Sequence, residues 1–167
     1  EVRVESLNVS SIVKGIAKTF VEMAKSRNIT FLSKIPEQVM WNSDKGFLNT
    51  IIINLISNAF KYTPDGQSIK IEVDTSRENM LALRVANEGS TIKEKDFQYI
   101  FNRYAILDNF ENQDEKNFSR NGLGLAISYN MAKLLNGTLK VENTSDGWVM
   151  FTLTLPVMEL TTGCLLY

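Results

Sequence analysis

Three polar side chains recur at helical spacing in the first half of the chain. Asn54, Asn58 and Lys61 are separated by four and then three residues, and side chains at that spacing in a helix lie over the same patch of surface. At about 100° per residue, most other residues of the segment fall on one apolar arc: Leu48, Ile52, Ile53, Leu55, Ile56, Ala59 and Phe60. The pattern predicts an amphipathic helix with two amides and an ammonium group on its polar face.

A helix face of this kind suits a phosphate bound through a metal ion. Mg²⁺ prefers oxygen ligands, keeps several waters and is usually held by few protein groups together with substrate phosphates. The side-chain oxygens of Asn54 and Asn58 are ligands of this type, and Lys61 offers a compact positive charge to phosphate oxygens. The alternative is a polar face that is merely solvated, which is the commoner case for such a helix taken alone.

The composition excludes several other kinds of chemistry. The chain has 167 residues, is 44% hydrophobic and carries a formal net charge of -1, so we expect one domain with a sizeable core. The charge balance predicts no nucleic-acid partner and no direct membrane contact. The sequence contains no histidine, which excludes Ser-His and Cys-His nucleophiles and a phosphoacceptor histidine within these residues. The single Cys164 forms no internal disulfide.

Helix and strand patterns alternate along the rest of the chain. Helical periodicity predicts helices at about residues 10–27, from Ser43 or Asp44 to about 62, at 94–101, and from 121–125 to about 135. Period-two alternation predicts strands at residues 1–7, 29–35, 39–41, 69–73, 81–85, 138–143 and 149–155. A hairpin is expected to join 69–73 to 81–85, and a turn at 145–147 to join 138–143 to 149–155. We therefore expect an α/β fold, a two-layer sandwich whose mixed, mostly antiparallel sheet is covered on one face by about three helices. Residues 105–120 have few apolar anchors and predict a mobile excursion.

Three polar or glycine-bearing segments, at residues 54–63, 85–92 and 121–125, need a common explanation. Their order and spacing resemble the ATP-binding catalytic domain of bacterial two-component sensor histidine kinases, in the wider Bergerat-fold group of ATPases and kinases. Residues 54–63 look like the N box of that domain, 87–91 the G1 box, 97–104 the F box and 122–125 the G2 box. The resemblance implies a catalytic domain at residues 1–156 with a mobile ATP lid, followed by a tail or linker at 157–167.

The resemblance also implies ATP and Mg²⁺ as ligands and assigns roles to residues. Asn58 matches the Mg²⁺ ligand and Asn54 its helper, while Lys61 and Arg103 match residues that reach the phosphates. With Asn54, these two are the catalytic candidates. The other positions expected to contact the nucleotide are Tyr62, Asn87, Gly89, Ile92, Tyr104, Gly122, Leu123, Gly124 and Leu125. The two G2 glycines are expected at a helix N-terminus, where backbone N–H groups favour anions.

Position 54 bears on the type of reaction. In hydrolytic relatives such as gyrase the matching position carries a Glu that acts as a general base, and the amide of Asn54 cannot do this. This favours a domain that holds ATP for in-line transfer to a nucleophile supplied elsewhere. By resemblance, the nucleophile is a histidine on a separate dimerisation domain, so this chain is incomplete alone. A response-regulator receiver domain is then the indirect partner, and the parent is an inner-membrane sensor with this domain in the cytoplasm.

The G1 segment departs from the family pattern, which reads Asp-x-Gly-x-Gly. Asn87 and Thr91 replace the Asp and the second Gly, and Arg120 replaces the first glycine of the G2 box. A neutral hydrogen bond contributes roughly 0.5–1.5 kcal/mol against about 1.5–3 for a charged one, so adenine binding is expected to weaken by up to about tenfold. Two hypotheses stay open: an active ATP-binding kinase domain, favoured by the intact remaining positions, and a pseudokinase-like regulatory or docking module. A nucleotide-free structural domain is a third.

Overall fold

A computed structural model describes residues 1–89, 91–101, 115–144 and 146–161, with the backbone alone at 98 and 115–123. Its α-helices are α1 (Val9–Lys18), α2 (Val21–Ser26), α3 (Lys45–Tyr62) and α4 (Glu115–Leu134), with a 3-10 helix at Glu94–Tyr99. The strands are β1 (Glu5–Asn8), β2 (Thr30–Lys34), β3 (Met40–Ser43), β4 (Ser68–Asp74), β5 (Met80–Glu88), β6 (Thr138–Asn143) and β7 (Trp148–Pro156).

Five of the strands form one sheet in the order β2-β4-β5-β7-β6. β2 runs parallel to β4, and the other three pairings are antiparallel, which confirms the predicted mixed, mostly antiparallel sheet and its two hairpins. Burial alternates strictly along β7, as expected for a sheet with one covered face. Helices α3 and α4 pack on that face and on each other, and α1 packs on α3. The predicted fold class is therefore confirmed.

Helix α3 supplies the centre of the core. Its side chains at Leu48, Ile51, Ile52, Leu55, Ile56, Ala59 and Phe60 are at most 2% exposed. The Phe20 ring stacks on Phe60 at 5.3 Å, and Phe31 meets the same ring edge-on at 5.2 Å. Burying one such side chain stabilises the fold by about 1.5–3 kcal/mol, so the helix that carries Asn54, Asn58 and Lys61 is held firmly in place.

The buried arc of α3 is rotated from the predicted one. Ile53, which we placed on the apolar arc, is 44% exposed, whereas Asn58, which we placed on the polar face, is only 6% exposed. The reason is helical geometry, because Asn58 lies seven residues, or nearly two full turns, after the buried Ile51. Ile53 shares its side of the helix with the exposed Ser57 four residues later. The placement of Ile53 was wrong, whereas Asn58 keeps its place beside Asn54 on the polar face and is nevertheless buried.

The first predicted helix is divided into two in the structure. The single helix expected at residues 10–27 is two helices, because the N–H groups of Thr19 and Phe20 bond to carbonyls only three residues earlier and tighten the chain there. α2 ends as predicted near Asn28, which has a φ of 53°.

Helix α4 begins at Glu115 and not at residues 121–125. Residues 115–120, assigned to a mobile excursion, are therefore helical, and Gly122 and Gly124 lie inside the helix. Interior glycine costs only about 1 kcal/mol relative to alanine, which is too little to stop a helix. The rest of the predicted lid, residues 105–114, lies outside the described residues.

The small β1–β3 pair lies apart from the main sheet, and the chain returns to it after β7. The Thr161 N–H donates to the Val4 carbonyl at 3.0 Å, and the Thr161 hydroxyl accepts from the Val4 N–H at 2.7 Å. The Asn42 amide donates to the Met158 carbonyl at 2.9 Å. Residues 157–161 are thus tied to the β1–β3 pair. Within the described part of the chain, no helix combines the length and apolarity needed to cross a membrane.

Candidate nucleotide-binding site

Both ends of α3 are held by charged side chains. Asp44 caps the N-terminus as predicted, accepting the Phe47 N–H at 3.0 Å. At the other end the Arg27 guanidinium donates to the carbonyls of Phe60 and Thr63, at 2.5 Å each, and a cation is favourable at a helix C-terminus. No local sequence pattern indicates this contact, since Arg27 lies 33 residues before Phe60. It fixes the turn that carries Lys61 and Tyr62.

Asn58 carries a buried polar atom that the described residues leave unsatisfied. Its Oδ1 has no hydrogen-bond partner among them, and a buried unpaired acceptor costs about 1–3 kcal/mol. A carbonyl oxygen in this position fits a hard cation. In the described part of the chain, no group of three or more His, Cys, Asp and Glu residues is placed to hold a metal ion. A Mg²⁺ ion here would therefore rely on amide oxygens, water and ligand phosphates.

Asn54 is directed toward α4. Its Nδ2 donates to the Gly124 carbonyl at 3.1 Å and to the Ser128 hydroxyl at 3.0 Å. A Cβ on Gly124 would lie 3.5 Å from the Asn54 Cγ, so the two helices approach closely at this point. Ser128 is fully buried and was missed by the sequence analysis. The only sequence signal for it is its spacing of four residues from Gly124.

Lys61 and Tyr62 sit in the last turn of α3. The Lys61 ammonium lies 5.7 Å from the centroid of the Tyr62 ring, and both side chains are half-buried. The ammonium remains close to the end of the helix, one turn beyond Asn58. Leu125, predicted to contact the nucleotide, is 6% exposed and belongs to the hydrophobic core.

The loop after β5 crosses the end of α3 at Gly89. This residue has a φ of 88°, and a Cβ on it would lie 2.9 Å from Pro64 Cδ and 3.1 Å from Gln67 Cγ. Glycine is thus required both by the backbone conformation and by space. Asn87, two residues earlier in β5, is 3% exposed. Thr91, in place of the second family glycine, is exposed, so its branched side chain does not fill the interior.

Asn143, at the end of β6, holds the same loop at Ile92, three residues after Gly89. Its Oδ1 accepts the Ile92 N–H at 3.1 Å and its Nδ2 donates to the Ile92 carbonyl at 2.6 Å. The side-chain amide thus takes the place of a strand partner for Ile92, which is 8% exposed. No sequence pattern pointed to Asn143, which is 51 residues away.

The start of the predicted F box packs against α4 and the sheet. The Phe101 ring stacks on Tyr129 at 5.0 Å and meets Phe151 edge-on at 6.1 Å. Arg103 and Tyr104 lie outside the described residues, and Gly122 and Leu123 are described only as backbone of α4. Of the predicted site residues, the structure brings Asn54, Asn58, Lys61 and Tyr62 together on α3, Gly124 against Asn54, and Gly89 against Pro64.

Comparison with known proteins gives one family over most of the chain. The family described as histidine kinase-, DNA gyrase B-, and HSP90-like ATPase matches residues 43–159. The chain is 31% identical over 152 residues to histidine kinase P4 of Formosa agariphila, covering 90% of this chain and 11% of that protein. It is 29% identical over 140 residues to the sensor histidine kinase WalK of Bacillus subtilis, covering 83% and 22%. The chain therefore spans only a minor part of these relatives.

Solved structures share the fold at low sequence identity. The catalytic domain of histidine kinase ThkA, in a nucleotide-free form, has a TM-score of 0.79 at 22% identity, covering 93% of this chain and 96% of that one. The mycobacterial sensor histidine kinase MprB has a TM-score of 0.76 at 18% identity, covering 92% and 98%. ThkA in complex with the response regulator protein TrrA has a TM-score of 0.77 at 22% identity, covering 94% and 42%.

Proposed function

The chain belongs to the family of histidine kinase-, DNA gyrase B- and HSP90-like ATPases, and from this we propose that it is the ATP-binding catalytic domain of a two-component sensor histidine kinase. The resemblance predicted from the motifs is confirmed, and the similar curated proteins are histidine kinases. The domain binds Mg-ATP and presents the γ-phosphate to a histidine on a separate dimerisation domain.

The observation that carries the proposal is the buried Oδ1 of Asn58, which has no hydrogen-bond partner among the described residues and lies one turn before Lys61 on a helix packed into the core. In this proposal Asn58 holds Mg²⁺, and Lys61 binds phosphate oxygens. When bound, Mg²⁺ neutralises charge on the phosphates and orients them for in-line transfer. Asn87, at the other end of the proposed site, accepts a hydrogen bond from the adenine amino group, and Gly89 lets the backbone pass close to the nucleotide.

Asn54 supports transfer over hydrolysis. Its Nδ2 donates to α4, and an amide does not act as a general base toward water. The nucleophile must then come from outside, because the chain has no histidine. We assign that role to the dimerisation domain of the parent kinase. The response regulator as indirect partner, and a membrane-bound parent with this domain in the cytoplasm, belong to the same proposal by analogy with the sensor kinases.

One feature favours a second candidate, a pseudokinase-like regulatory or docking module that binds nucleotide weakly or not at all. Asn87 is neutral and buried where the family has a carboxylate, and the family's second glycine is Thr91. The adenine contact of such a module would be too weak to retain ATP.

Calorimetric titration with Mg-ATP distinguishes the two. For the catalytic domain we expect micromolar to sub-millimolar binding by the wild type, tighter binding by Asn87→Asp, and loss of the Mg²⁺-dependent part of the binding by Asn58→Ala. If neither the wild type nor Asn87→Asp binds at millimolar ATP, the proposal fails and the pseudokinase-like module stands.

A further inference from the structure

Ser128 carries a buried hydroxyl that contacts Asn54, at the end of the site where the phosphates are predicted to bind. It is 0% exposed on an α4 face whose other buried positions are apolar, among them Leu125 and Ala132. A buried hydroxyl is unfavourable unless it is hydrogen-bonded. Ser128 Oγ accepts the Asn54 Nδ2–H at 3.0 Å. Packing alone would be served by alanine, which α4 uses at the buried Ala126 and Ala132.

The second acceptor on α4 fixes which way the Asn54 amide faces. Nδ2 also donates to the Gly124 carbonyl at 3.1 Å, and a carbonyl oxygen can only accept. The two N–H groups of the amide are thereby both used. Reversing the amide would set its own oxygen against the Gly124 oxygen. The amide plane is thus held at two points one helical turn apart, Gly124 and Ser128.

The oxygen and nitrogen ends of a side-chain amide interact differently with a cation. Mg²⁺ binds the oxygen and is repelled by the N–H end. Gly124 adds no side chain beside this oxygen, where a Cβ would lie in ordinary van der Waals contact at 3.6 Å from Asn54 Oδ1. The hydrogen bonds to α4 therefore use the nitrogen of the Asn54 side-chain amide and leave its oxygen available.

We propose that Ser128 is a positioning residue for the Mg-ATP site: through its hydrogen bond to Asn54 it holds that amide with the oxygen available to Mg²⁺ or to a Mg²⁺-bound water. This inference rests on the proposed function and adds a residue that acts through Asn54 without touching the ligand. It also makes the α3–α4 contact part of the site.

The test compares removal of two buried hydroxyls. Ser128→Ala removes the acceptor of Asn54. Ser10→Ala is the matched control, because Ser10 is also 0% exposed and its hydroxyl has no hydrogen-bond partner among the described residues. Calorimetry gives the Kd for ATP in excess Mg²⁺ and in EDTA. We expect Ser128→Ala to weaken Mg-ATP binding by about three- to tenfold, the size of one lost hydrogen bond, with little change in EDTA and none for Ser10→Ala.

A double-mutant cycle shows whether Ser128 acts through Asn54. In an Asn54→Ala background, Ser128→Ala is expected to cause no further loss, because the coupled group is already absent. Equal losses with and without Mg²⁺, or the same loss in both backgrounds, would show a merely structural role and overturn the inference.

Two further readouts keep the outcomes separate. If Ser128→Ala does not fold, Ser128→Cys replaces the hydroxyl by a much weaker acceptor at similar volume and should weaken Mg-ATP binding in part, and a loss of equal size with and without Mg²⁺ in either folded variant overturns the inference. NMR of the Asn54 side-chain amide without nucleotide should show slowed hydrogen exchange in the wild type that is lost in Ser128→Ala. Absence of Mg-ATP binding in the wild type overturns the proposed function and with it this inference, whereas normal binding by Ser128→Ala overturns this inference alone.

Discussion

At the scale of single residues, the site combines side chains that the sequence identifies with partners that it does not. The spacing of Asn54, Asn58 and Lys61 predicted a shared helix, and this is confirmed. The burial of Asn58 was not predictable from the apolar arc alone, because the arc leaves open which polar neighbour faces the core. The acceptors of Asn54 lie 70 and 74 residues away, beyond any local pattern.

Gly89 offers a sharp test of how closely the loop after β5 passes α3. Gly89→Ala places a Cβ against Pro64 and Gln67, whereas Gly147→Ala, at a similar φ of 85°, meets no atom within 4 Å. Left-handed strain costs both variants roughly 1–2 kcal/mol, so any additional loss at Gly89 reports the clash. We expect a lower urea midpoint and weaker ATP binding for Gly89→Ala than for Gly147→Ala. Equal effects would show that the loop is free to move.

Asn87→Asp is expected to strengthen ATP binding but to lower the stability of the unliganded protein. A charged acceptor strengthens the adenine contact by up to about tenfold. Burial of the carboxylate, however, disfavours its charged form, so the unliganded variant is expected to melt below the wild type at neutral pH. Thermal scans with and without ATP, with GTP as the control nucleotide, measure both effects. An affinity gain of the same size for GTP would contradict the adenine assignment.

At the scale of elements, hydrophobic patterning predicted the strands and α3 well, because alternation and helical period depend on local sequence. The break between α1 and α2 was missed, since it rests on two short-range hydrogen bonds at Thr19 and Phe20 and leaves the apolar period intact. The predicted start of α4 was wrong, because glycines such as those at 122 and 124 indicate a helix boundary in the sequence but here lie inside the helix. Pairings such as Asn143 with Ile92 join separate elements and have no local signature.

Asn143→Ala tests whether β6 holds the loop after β5, which is predicted to bind adenine. Loss of both hydrogen bonds to Ile92 is expected to destabilise the fold by about 1–2 kcal/mol and to weaken ATP and ADP binding alike, with no dependence on Mg²⁺. Glu142→Ala is the control, because the preceding side chain points to the opposite face of the sheet. Asn143→Asp keeps the acceptor for the Ile92 N–H, so its stability and nucleotide affinity should lie between those of the wild type and Asn143→Ala. A loss confined to Mg-ATP would place the effect at the phosphate end instead.

At the scale of the whole molecule, the α/β class and its two hairpins were predictable, but the strand order was not. The parallel pairing of β2 with β4 joins segments separated by α3, and no turn between them fixes the register. The face of the sheet away from the helices carries an ion-pair network. Arg84 Nη1 lies 2.8 Å from a Glu72 oxygen and 3.1 Å from an Asp74 oxygen.

Asp74 makes this network sensitive to acid. Hydrogen bonds from the side chain and the backbone N–H of Ser76, followed by that from Arg84, lower the Asp74 pKa from 3.8 to about 2. A group whose pKa is lowered on folding contributes stability above its unfolded value and loses it as the pH falls through the folded value. Between pH 3.8 and about 2 the urea midpoint of the wild type should therefore fall more steeply than that of Asp74→Asn. Glu78→Gln is the control and should follow the wild type; equal slopes for all three would refute the assignment.

The most direct test of the account is the Mg²⁺ dependence of ATP binding at Asn58. The Kd for ATP is measured calorimetrically in excess Mg²⁺ and in EDTA, for the wild type, for Asn58→Ala and for Ser57→Ala, which changes the exposed neighbour. If the buried Asn58 oxygen holds the metal, Mg²⁺ tightens ATP binding by the wild type and by Ser57→Ala but not by Asn58→Ala, while binding in EDTA is similar for all three. A Mg²⁺ effect of the same size in Asn58→Ala would contradict the account.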